Sequence, residues 1–216
     1  MKETGTKNYL FDFDGTLVNS MPTFVSVMLR ILDEYGIPYD DDLVKTITPL
    51  GYHGTAEYFC GLGVPLPTEE LVELMNCYAY DAYAYDVLTK ESVLETLYAL
   101  KERGDSLNIL TASPHRMLDP CLKRLGIWEL FDHVWSCDDF RTTKSDFNIY
   151  RLAAQQMGSD VENIIFVDDN VNAVRTARQG GMISYGIYDE SSSEYVDEMR
   201  EVSHRYLERF SDLLTD

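Results

Sequence analysis

The sequence predicts an α/β fold, a doubly wound parallel sheet with an all-helical segment inserted after its first strand. Three observations carry this expectation. Beyond about residue 87, short apolar runs alternate with stretches of helical periodicity. Between residues 21 and 85 the pattern is helical throughout. A strand-like run at 9–13 precedes that stretch and stops at Gly15. The 216 residues, 45% hydrophobic and 12% aromatic, supply enough apolar surface for such a core, which excludes disordered and fibrous classes. The expected division is an α/β core of 1–17 and 87–216 and a helical insert of 18–86.

Each element has its own signal. After the first strand, Phe24, Val27, Met28, Ile31 and Leu32 recur at helical spacing up to Gly36, with Pro38 beyond. Further helices are expected at 41–47 and 53–60, and a long one at 69–85 with Thr68 as its N-cap. A helix at 92–103, closed by Gly104, leads to a strand at 107–110. Ser113 and Pro114 read as N-cap and first position of a helix that stops at Gly126. There follow a strand at 134–136, a helix at 147–157 ended by Gly158, and a strongly apolar strand at 163–167. A helix at 171–179 runs up to Gly180 and Gly181, and a strand occupies 182–185. Ser191 with Glu194 predicts a capping box opening a final acidic helix, with Tyr195, Met199, Val202, Tyr206 and Phe210 on its core face.

Eighteen Lys and Arg against thirty-seven Asp and Glu give a formal charge of −19, which repels nucleic acid and anionic membranes. The expected partner is therefore a small molecule, and a phosphorylated one would need a concentrated cation; the sequence leaves the oligomeric state open, with a monomer favoured because no coiled coil or interface stripe appears. Cys60, Cys77, Cys121 and Cys137 form no CxxC pair and read as reduced core thiols. Residues 1–7 are polar, without an apolar signal region, which points to the cytoplasm.

Ligands of open parallel sheets bind beyond the carboxyl ends of the strands, so residues just after strands carry the functional reading. In Asp12-Phe13-Asp14-Gly15-Thr16, carboxylates two residues apart on an extended segment point to one side, and Gly15 lets the backbone approach a ligand closely. An Asp-Gly pair is equally a common surface turn. Thr111-Ala112-Ser113 offers hydroxyls and free N–H groups as a phosphate cradle, or an ordinary helix cap. Lys144 is a ligand cation or a solvated charge. Asp168 and Asp169 end the most apolar strand, where buried charge needs a counter-ion. Asp12, Asp14, Asp168 and Asp169 around one lysine, with a phosphate added, require a divalent ion, and Mg2+ suits an all-oxygen set.

This order of motifs resembles the haloacid dehalogenase superfamily of phosphatases over about residues 7–185. The insert is similar to the small helical cap of its phosphoglycolate phosphatases and β-phosphoglucomutases. The resemblance implies that Asp12 is the nucleophile and Asp14 the general acid and base. It implies that Thr111 and Lys144 hold phosphoryl oxygens, with Gly15, Thr16, Ala112 and Ser113 around the substrate. Mg2+ is then held by Asp12, the Asp14 carbonyl and Asp168, with Asp169 as an additional ligand. The chain departs from the family pattern after the lysine, where Ser145 and Phe147 replace prolines, and at Asn172, where an acid is usual. Gly51-Tyr52-His53-Gly54 resembles the cap loop that reaches the substrate. It offers His53 but not the arginine of the mutases, so simple hydrolysis is expected over mutase chemistry, and the intact Asp12 and Asp14 pair argues against mere phosphate binding.

Overall fold

The computed structural model describes residues 6–40, 42–47 and 50–215. Its strands β1 (Asn8–Phe11), β2 (Ser106–Thr111), β3 (His133–Ser136), β4 (Ile164–Asp168), β5 (Ile183–Ile187) and β6 (Arg205–Leu207) form one sheet. The order is β3-β2-β1-β4-β5-β6, with every neighbouring pair parallel. The chain thus builds outward from β1 through β2 and β3, then returns to the other side of β1 for β4. That reversal leaves a crevice beyond the carboxyl ends of β1 and β4, the usual ligand position in such sheets.

The chain forms two compact units, Met1–Asn19 with Leu88–Asp216, and Ser20–Val87. The second holds α1 (Met21–Tyr35), α2 (Leu43–Ile47), α3 (Gly51–Leu62) and α4 (Thr68–Tyr85) around a core that includes Met28, Ile31, Leu32, Phe59, Leu71 and Met75. Gly36 ends α1 at φ +65°, a left-handed conformation that glycine adopts at little cost. In the first unit the sheet is flanked by α5 (Val93–Glu102), α6 (His115–Arg124), α7 (Asn148–Met157), α8 (Val171–Gly180) and α9 (Val196–Val202).

Central strands are covered on both faces, and their sequences show it. In β1, Tyr9 stacks on Phe11, which meets Phe210 at 5.4 Å between ring centroids. Leu10 faces the opposite way, into a cluster with Leu110, Tyr150 and Phe166. No described helix is long and apolar enough to cross a membrane.

Several local expectations need correction. The residue before α4 is Pro67; Thr68 is already helical, and no side chain caps that helix. Pro114, with extended backbone, precedes α6, so Ser113 lies one residue outside its expected capping place and its hydroxyl turns elsewhere. The 53–60 helix begins earlier, at Gly51, which draws Tyr52, His53 and Gly54 into regular helix; Tyr52 stacks on Phe24. The final acidic helix is not continuous. Asp189, not Ser191, caps a 3₁₀ turn over Glu190–Tyr195; α9 then ends at Val202, and β6 follows. Tyr206 sits on that strand because pairing with β5 satisfies backbone groups that a longer helix would have taken. A capping box does occur, at Ser136 and Asp139. Cys121 and Cys137 are buried, but Cys77 is exposed, outside any core.

Candidate active site

Register places the carboxylates. Phe11 pairs with Val167, and the amide of Asp12 donates to the Val167 carbonyl at 2.9 Å, so Asp12 and Asp168 leave adjacent strand ends side by side. Asp169 follows in the turn to α8. One carboxylate oxygen from each of Asp12, Asp168 and Asp169 lies within 4.8 Å of the others. Lys144 Nζ stands 2.6 Å from Asp12 and 2.8 Å from Asp168. It reaches them from the loop before α7, where the Tyr150 hydroxyl lies 3.0 Å from the Lys144 carbonyl.

Each acid is held by its surroundings. Asp168 accepts from Lys144 through one oxygen and from the Asn170 amide, at 2.7 Å, through the other. Asp169 accepts from the Thr16 hydroxyl at 3.1 Å, and its amide donates back to Thr16 Oγ1 at 3.2 Å. Asp14 accepts from the Ser113 hydroxyl. Gly15 has φ +72°, and a Cβ there would lie 2.5 Å from Asp169 Oδ2, so the close approach of the two turns requires glycine.

Burial pushes the Asp12 carboxyl up to about 7; Lys144 opposes the rise, while Asp168 and Asp14 add to it. Burial likewise raises Asp169, reinforced by Asp168 and Asp12. Burial works against the Lys144 ammonium, but Asp12 and Asp168 outweigh it and hold its pKa well above the ordinary value. Three buried acids with one ammonium are under-compensated, and their hard oxygen donors fit a divalent cation.

A cleft of about 350 Å³ opens over these groups. Asp12, Asp14, Thr111, Ala112, Lys144 and Asp169 line it, together with Thr143, Ser145, Asn170, Asn172 and Ala173. Of the residues expected around a substrate, Ala112 is on the wall. Thr16 is fully buried behind it as the support of Asp169, and Ser113 supports Asp14 while its amide donates to Thr111 Oγ1 at 3.0 Å. His53 belongs to the other unit, exposed and 3.8 Å from Glu57. In that unit Tyr78 bonds to Glu34 and lies under Arg30, whereas Tyr85 is exposed.

Lys90 escaped the sequence reading. Its Nζ donates to the Gly15 carbonyl at 2.5 Å, to the Tyr188 carbonyl at 2.7 Å and to Asp189 at 2.9 Å, tying the turn after β1 to the end of β5. Nothing local marks it, because its partners lie 75 and about a hundred positions away. Asn170 had a readable signal as the amide cap before Val171; it accepts from the amides of Asn172 and Ala173.

The site is a lysine-bridged carboxylate cluster at the switch point of a parallel sheet, with a hydroxyl-bearing wall and hard oxygen donors of the kind that suit a divalent cation. The haloacid dehalogenase-like hydrolase family matches residues 6–181, and the chain belongs to it. It is an enzyme of the phosphatase kind. The pyrophosphatase PpaX of Bacillus velezensis is 31% identical over 82% of this chain and 81% of its own length. The N-acetylmuramic acid 6-phosphate phosphatase of Pseudomonas aeruginosa is 28% identical over 84% of this chain and 81% of its own. A solved Thermotoga maritima protein assigned to the β-phosphoglucomutases has a TM-score of 0.84 and 21% identity, over 97% of this chain and 99% of that one, a likeness of fold alone.

Proposed function

We propose that the protein is a magnesium-dependent phosphatase that hydrolyses a small phosphorylated metabolite by way of an aspartyl-phosphate on Asp12. The observation that carries this reading is the convergence of Asp12, Asp14, Thr111, Lys144 and Asp169 on one cleft above Asp168. The Asp12 carboxylate attacks phosphorus, and the bond from phosphorus to the ester oxygen breaks. Asp14, oriented by Ser113, gives its proton to the departing alkoxide. It then takes a proton from the water that attacks phosphorus and releases phosphate from Asp12. Thr111 Oγ1 already accepts from Ser113, which leaves its O–H to donate to a phosphoryl oxygen, and Lys144 offsets the negative charge there. Asp12, Asp168, Asp169 and the Asp14 carbonyl would hold Mg2+, which when bound neutralises charge on the transferring phosphoryl group.

The test is phosphate release from sugar phosphates, phosphoglycolate and nucleotides, with and without magnesium, beside Asp12→Asn. Metal-dependent release that the variant lacks is the expected outcome. A folded, metal-loaded protein that releases phosphate from none of them contradicts the proposal.

A further inference from the structure

Resting on the phosphatase reading above, we infer that the substrate is a phosphomonoester with an uncharged, hydroxyl-rich body, such as a sugar or polyol monophosphate. Esters that carry a second anionic group are poor substrates.

Among the described residues lining the cleft, Lys144 is the one cation, and it stands between Asp12 and Asp168. The wall beyond it presents the hydroxyls of Thr143 and Ser145 and the amides of Asn170 and Asn172, groups that bond neutral oxygens but do not balance charge. Arg175 reaches that wall through Asn172, at 2.8 Å, and is paired with Glu198.

The helical unit adds little. Its sequence holds two cations, Arg30 and Lys45, against eleven carboxylates. Arg30 bonds to Glu34 at 2.9 Å, lies 3.7 Å over the Tyr78 ring and feels Asp81 as well. Lys45 faces Asp42 at 3.3 Å. His53, the remaining group able to carry positive charge, has Glu57 at 3.8 Å. An anion drawn to any of these meets a carboxylate beside it. A second carboxylate or phosphate on the substrate would therefore lose its hydration without gaining a counter-charge, in a chain already at −19.

Matched pairs test this on the full-length protein with magnesium. Glucose 6-phosphate is set against 6-phosphogluconate, glycerol 3-phosphate against 3-phosphoglycerate, and fructose 6-phosphate against fructose 1,6-bisphosphate, with p-nitrophenyl phosphate as a generic ester. The expected result is kcat/KM about tenfold or more higher for the neutral-bodied member of each pair. Ser145→Arg, which places a cation on the exposed cleft wall, should narrow the gap several-fold. Equal or better turnover of the anionic members overturns the inference, as does a gap that Ser145→Arg leaves unchanged. So does hydrolysis of the aryl ester with none of the pairs, while the phosphatase reading stands. Failure on every ester, the aryl one included, removes the reading and the inference with it.

Discussion

Lys144 and His115 stand in the same kind of frame, each a cationic group between two carboxylates. Lys144 lies 2.6 and 2.8 Å from Asp12 and Asp168. His115 lies 2.7 and 2.8 Å from Asp119 and Asp139. The distances match; the surroundings do not. The Lys144 side chain is 14% exposed and Asp168 not at all, whereas His115 and its partners are between 31% and 39% exposed. At the protein surface water screens such a pair and its worth falls toward zero to 1 kcal/mol. In the buried frame desolvation makes every missing partner costly, and the same charges become poised for chemistry. Burial, and not pairing geometry, separates the two frames.

Breaking the buried frame should have the largest effects. Asp12→Asn, nearly isosteric, should keep the fold and lower phosphate release by at least about 10⁴-fold, read in a steady-state assay. Lys144→Met should cost about 100-fold in activity or more. It should also lower stability by about 3 kcal/mol without metal, because the acids lose their counter-charge. Thermal unfolding with chelator and with magnesium measures this, and the metal should restore part of the loss.

The turn that brings Asp169 to the cluster gives a middle-sized effect. Gly15→Ala drives a Cβ toward the Asp169 carboxylate and forces a non-glycine residue to φ +72°. We expect about 1–3 kcal/mol of destabilisation and weaker metal binding in a magnesium titration followed by thermal shift.

The smallest effect belongs to the exposed frame. Burial works against the His115 imidazolium, but Asp119 and Asp139 outweigh it and raise its pKa above the ordinary histidine value. A raised folded-state pKa stabilises below the unfolded pKa of about 6.5, and that contribution fades as pH rises through the folded value. Urea unfolding of His115→Gln should thus show a deficit near pH 5, at most about 1 kcal/mol after solvent screening, that disappears near pH 9. A deficit independent of pH would mean that the imidazole acts through packing.

The two frames also differ in how far the sequence reveals them. Asp12 and Asp14 alternate on a strand end, and Asp168 and Asp169 close an apolar run, so short-range patterns mark them as candidates, and their combination, not either pair alone, separates them from ordinary turns. The parallel sheet was equally readable, since apolar runs separated by helical periodicity leave few other arrangements. His115 and Asp119 lie four residues apart on α6, but Asp139 meets the imidazole only where α6 packs against the turn after β3, which no short-range pattern marks. The same holds for Lys90, Thr16 and Ser113, whose partners are set by where distant turns meet. The C-terminal segment misled for a related reason. The spacing of Met199, Val202, Tyr206 and Phe210 fits a helix, but the open edge of β5 captured Arg205–Leu207 as β6.

The proposed mechanism requires that Asp12 become phosphorylated. Acid quench of a reaction in its first turnovers, followed by digestion and mass analysis, tests it most directly. A phosphoryl adduct on the peptide bearing Asp12, formed at a rate competent for turnover and absent from Asp12→Asn, is the expected result. Rapid turnover with no adduct, or an adduct on a different residue, would contradict it.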